Sequence, residues 1–98
     1  MDDLRFAWDP RKAAANLRKH GVSFLEAQTV FADDQALLID DPEHSTTEER
    51  FVLLGMSLGQ RLLVVVHGYR AADGLIRLIS ARKATRPERA QYEEHRKP

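Results

Sequence analysis

Five consecutive aliphatic residues, Leu62-Leu63-Val64-Val65-Val66, constrain this chain more than any other feature. A continuous apolar run bounded by turn signals reads as a strand covered on both faces. Leu58-Gly59-Gln60 before it is a hairpin connection of the glycine type, which returns the chain to a strand over residues 50–57. Residues 70–74 form a second hairpin loop, and the chain comes back as Leu75-Ile76-Arg77-Leu78-Ile79-Ser80-Ala81-Arg82. Consecutive strands with short connections pair as neighbours. An antiparallel sheet centred on residues 61–69 is therefore the frame for everything else.

The flanking segments supply the cover. Leu4, Phe6 and Trp8 alternate on one face of a short strand. Asp9-Pro10 starts a helix that runs to about His20, because Asp accepts at the N-cap and Pro at the first position loses no useful donor. Gly21 ends it as a left-handed cap. Ser23 and Glu26 make a capping box, with Val22 as its staple, for a second helix over residues 24–32. A brief strand over 36–39 and an acidic loop over 40–49 precede the central sheet. Thr85-Arg86-Pro87-Glu88 opens a terminal helix that offers only Ala90 and Tyr92 for apolar contact. The expected architecture is α+β: an antiparallel sheet of four to five strands, a helical hairpin on one face, and a C-terminal helix. The second face stays open apart from what that helix screens.

Composition narrows the function classes. Ninety-eight residues make one domain, residues 1–98. There is no cysteine, which excludes disulfides and thiolate metal sites. No apolar run approaches the ~20 residues that span a bilayer. Met1-Asp2-Asp3 is not followed by an apolar segment, so no signal peptide is expected and the cytoplasm is the default. Net charge is zero, yet residues 33–49 hold seven carboxylates and no Lys or Arg, whereas residues 77–97 hold seven Lys/Arg against three Glu. The basic quarter suits a polyanion.

Candidate chemistry gathers around the last strand. Arginine keeps its charge and is seldom buried without a partner, so Arg77 and Arg82 mark a place to receive an anion. They are five positions apart, which sets them on opposite faces of a regular strand; only a bulge or an early strand end lets both reach one site. His67 is a proton carrier if it shares a face with one of these arginines. Glu49 can serve as a general base or orient an arginine. Lys19-His20 complements the dipole of the first helix. His44 with Asp40, Asp41 and Glu43 fits no familiar metal-ligand spacing. No metal site and no cofactor fingerprint is expected.

Phe6-Ala7-Trp8-Asp9-Pro10-Arg11-Lys12, Asn16 to Phe24, Ala27, Phe31, Asp33, Glu49-Arg50, Gly55, Ile76 to Ala84, Arg89 and Tyr92 together resemble the BrnT family of toxins. The resemblance implies a bacterial type II toxin with a RelE-like fold that cuts RNA and arrests translation. It implies a BrnA-like ribbon-helix-helix antitoxin as partner, with operator DNA met only through the complex. It also implies a metal-independent reaction. His67 or Glu49 would handle protons, Arg77 and Arg82 would hold the phosphate, Lys19, His20 and Arg50 would contact the RNA backbone, and Tyr92 would stack or donate. The alternative expectation is a non-catalytic module that binds an antitoxin and co-represses its operon.

Overall fold

A computed structural model describes residues 4–40 and 49–97. The elements run β1 (Arg5–Ala7), α1 (Pro10–His20), α2 (Phe24–Thr29) continued by a 3-10 turn (Val30–Ala32), β2 (Leu37–Asp40), β3 (Glu49–Met56), β4 (Leu62–Arg70), β5 (Leu75–Lys83) and α3 (Arg86–Arg96). The five strands form one sheet in the order β1-β5-β4-β3-β2. The aliphatic run lies in β4, at its centre, and Leu62 to Val65 are all buried. The sheet is mixed rather than wholly antiparallel, because β1 pairs parallel to β5. The α1–α2 hairpin between β1 and β2 carries the chain across the sheet.

The helix signals act largely as the sequence implies. Asp9 accepts from the Arg11 N–H at 2.8 Å, and Gly21, at φ 69°, donates to the Leu17 carbonyl. Ser23 accepts from the Glu26 N–H, but the capping box is only half made. The Glu26 carboxylate turns away to Arg61 and to the Ser57 hydroxyl, which fastens the β3–β4 hairpin to α2. The Thr85–Glu88 box is complete. In the β3–β4 hairpin the left-handed residue is Gln60, at φ 63°, not Gly59. Gly59 instead lies close against α2: a Cβ there would sit 3.1 Å from Glu26 Oε2 and press on the carboxylate that holds Arg61.

Two cores divide the sheet. On the α1–α2 side, Val22, Phe24, Ala27 and Val30 meet Leu53, Leu63, Val65, Ile76, Leu78 and Ala81, with Phe6 and Trp8 at the margin. On the other side, Leu54, Leu62 and Val64 meet Tyr92 alone from α3. Where β1 ends, the edge of β5 would lose its partner strand. Asn16 replaces it: its side-chain amide donates to the Ala81 carbonyl at 2.8 Å, accepts from the Ala81 N–H at 3.0 Å, and donates again to the Val22 carbonyl. A buried amide that mimics a strand satisfies both edge groups at once.

Candidate nucleic-acid interface

The strands sort their charges by face. Partners across β4 and β5 run Val65↔Ala81, Val66↔Ser80, then His67↔Leu78 and Gly68↔Arg77, so Ile79 is an extra residue on β5. This β-bulge shifts the alternation by one. Arg82, opposite Val64, and Arg77, opposite Gly68, therefore project from the same face, the one α3 partly covers. Arg50 stands opposite Gly68 on the other flank, so Arg50, Gly68 and Arg77 form one row across three strands. Arg5, opposite Leu75, and Arg70 point the same way. All five strand arginines thus leave the sheet on the side away from the helical hairpin.

Their surroundings differ. Arg50 Nε is buried with no hydrogen-bond partner among the described residues. Arg77 is half-buried. Arg82 makes a bidentate pair with Glu88, 2.8 Å on each oxygen, while Glu88 also closes the cap on α3. The Arg82 guanidinium pulls the Glu88 carboxyl down to about 2. Arg70 pairs with Asp73, and Arg5 donates to the Asp73 carbonyl. Lys19 and His20 reach a groove along the β5 edge with Lys12, Asn16, Ile79 and Ser80, immediately beside the bulge.

The expected proton carriers lie elsewhere. His67 is opposite Leu78, and its face is that of Phe31 and Phe51: the imidazole meets Phe31 edge-on at 4.8 Å and stacks near Phe51 at 5.9 Å. It is 4% exposed, and burial lowers its pKa. Glu49, opposite Tyr69, is on that same side. The sheet thus separates His67 and Glu49 from Arg50, Arg77 and Arg82. Tyr92 does not present a ring for stacking: it is 3% exposed, and its hydroxyl donates to Asp33 at 2.6 Å. Burial and the Asp33 carboxylate push the phenol up to about 12. Asp41, Glu43 and His44 lie outside the described residues. Among the described residues no group of three or more acidic or imidazole side chains is placed to hold a metal. Among the described residues no helix is long and apolar enough to cross a membrane.

Arg5 and Arg70 belong to this surface by local alternation alone. The alternation that puts Phe6 and Trp8 inward puts Arg5 outward, and Arg70 alternates with Tyr69. Asn16 gave no signal, because a mid-helix asparagine reads as solvated until β5 is set beside it.

The described residues thus form an open α+β sheet with a helical hairpin on one side and an arginine face on the other. The crystal structure of the ribonuclease toxin BrnT from Brucella abortus shares the fold, with a TM-score of 0.64 over 86% of this chain and 100% of that one, at 20% identity. Among curated proteins nothing matches. The model of the family described as "Ribonuclease toxin, BrnT, of type II toxin-antitoxin system" matches residues 8–88. The chain belongs to this family, and is a ribonuclease toxin of a type II toxin–antitoxin system.

Proposed function

We propose that this toxin cuts RNA on its arginine face without a metal ion, and that a BrnA-like ribbon-helix-helix antitoxin neutralises it. In this reading operator DNA is met only through the toxin–antitoxin complex. The observation that carries the proposal is the bulge at Ile79, which aligns Arg77 and Arg82 with Arg50 on one surface. The buried, unpartnered Nε of Arg50 adds a donor that a phosphate oxygen would satisfy.

The chemistry follows from that geometry. When the ribose 2′-oxygen attacks phosphorus, charge builds on the non-bridging oxygens as the bond to the 5′-oxygen breaks. Guanidinium groups of Arg50 and Arg77 bind that charge more strongly in the transition state than in the bound substrate. Arg82 joins them when a phosphate competes with Glu88 for its fork. Lys19 holds the backbone at the β5 edge. His20, in the groove at the β5 edge beside Ser80, is the accessible imidazole that exchanges protons, since His67 is buried under the helical hairpin.

The test is cleavage of RNA by purified toxin in EDTA. Arg77→Ala and His20→Ala are each expected to lower the rate about 100-fold, the usual cost of removing one transition-state donor. Leu38→Asp, across the sheet, should cut at the wild-type rate. Full activity in both Arg77→Ala and His20→Ala, or loss of wild-type cleavage in the chelator, defeats the proposal.

A further inference from the structure

The helical-hairpin side of the sheet has an opening of its own. A cleft of about 380 Å³ lies between the 3-10 turn and the ends of β2 to β5, walled by Phe31, Leu38, Phe51, Tyr69 and Ile76, with His67 in its lining. Leu38 is 56% exposed at its mouth, on the edge strand β2, and Tyr69 is exposed beside it. Apolar side chains left uncovered on an edge strand mark a place where another chain adds on.

His67 gives the cleft a specific polarity. The ring is over nine-tenths buried, and Nδ1 faces the Val65 carbonyl at 3.4 Å. A carbonyl only accepts, so this contact favours the tautomer with the proton on Nδ1; in that tautomer Nε2 is an acceptor with no hydrogen bond from any described residue. Of the other polar lining groups, Asp33 already accepts from Gln35 N–H, Met56 N–H and the Tyr92 hydroxyl, and Tyr69 is exposed to solvent, so His67 is the buried polar group that still lacks a strong partner. The cleft therefore asks for a flat apolar group that carries a single donor. Tryptophan is that side chain, since indole donates and cannot accept.

Charge decides between a protein and a nucleic acid. Asp33 lines the cleft, and Glu49 lies across from Tyr69 on the same face. Every strand arginine is on the opposite face. An RNA phosphate would be repelled here, while a basic peptide would be drawn in.

We infer that this cleft is a docking site for the antitoxin, which inserts a tryptophan from a Lys/Arg-flanked segment and donates its indole N–H to His67 Nε2. The inference rests on the toxin–antitoxin reading, because it takes the antitoxin as the chain that carries the anchor. It places the partner's grip behind the sheet, away from the arginine face.

The probe is a short synthetic peptide with one tryptophan between lysines, titrated into labelled toxin and followed by NMR. Resonances of His67, Phe51, Tyr69 and Leu38 should move, and those of Arg50 and Arg77 should not. His67→Phe keeps the ring shape and removes the acceptor; it should weaken binding about fivefold to tenfold, the worth of one hydrogen bond. Leu38→Asp should abolish binding and leave RNA cleavage intact. A peptide with phenylalanine for tryptophan should bind wild type no better than the original binds His67→Phe. The inference fails if adenosine monophosphate moves the cleft resonances and the peptide does not, or if the peptide shifts the arginine face instead. It also fails if His67→Phe binds as wild type does. Loss of cleavage by wild-type toxin would strike the nuclease proposal and leave the peptide result standing.

Discussion

Asn16 shows how much one side chain can hold. It is 7% exposed, and three hydrogen bonds tie α1 to the β5 edge and to the Val22 carbonyl that leads into α2. Asn16→Ala leaves the Ala81 N–H and C=O buried without partners. Each orphaned group costs about 1–3 kcal/mol, so the variant should lose about 3 kcal/mol in total. For a domain of this size that is a fall of roughly 12–20 °C in Tm, measurable by calorimetry. A Tm within 3 °C of wild type would show that water or a strand shift repairs the edge. Gly55 has a comparable role by absence: a Cβ there would lie 2.8 Å from Val30 and 2.9 Å from Ala36. Neither residue could be assigned from spacing, because each matters only through an element distant in sequence.

At the scale of elements, α3 is the lightly held piece. Tyr92 is its single buried residue, and the remaining anchors are the Tyr92–Asp33 hydrogen bond and the Arg82–Glu88 pair. The Glu88 carboxyl sits at about 2, below its ordinary 4.5, chiefly because of the Arg82 guanidinium. A depressed carboxylate stabilises the fold fully above its unfolded pKa and ceases to do so as pH falls through its folded one. Stability should therefore drop between pH 4.5 and about 2. Since the Arg82 side chain is 41% exposed, solvent screening reduces the effect to about 1 kcal/mol. Denaturant titrations across this range should show the acid loss in wild type and a flatter profile in Glu88→Gln; parallel profiles would remove the pair from the account. The sequence made the elements themselves legible, since caps, staples and alternation are local. It could not reveal the parallel β1–β5 pairing, which is a non-local choice. Nor did it reveal that Ile79 is the bulge: the five-residue spacing of Arg77 and Arg82 posed the question, and only the register against β4 answers it.

The whole molecule has no net charge, yet its strands place arginine on one side of the sheet and the uncovered apolar cleft on the other. Binding of single-stranded RNA should then be salt-dependent despite the neutral total, because local contacts release counterions. Removing one contacting arginine lowers the slope of log affinity against log salt by about 0.7. Arg50→Ala should show that decrement in a fluorescence-anisotropy titration, and Leu38→Asp should not. Equal slopes in wild type and Arg50→Ala would take Arg50 off the RNA path. A partner that grips the cleft leaves the arginines uncovered unless its chain also extends around the sheet edge.

The extra residue in β5 has one more implication. Deleting Ile79 would leave Arg77 and Arg82 four positions apart, an even spacing that keeps both on one face of a regular strand with no bulge. The odd count serves one surface only because one residue stands outside the ladder, so a substitution that flattened the bulge without removing a residue would turn one guanidinium to the opposite face.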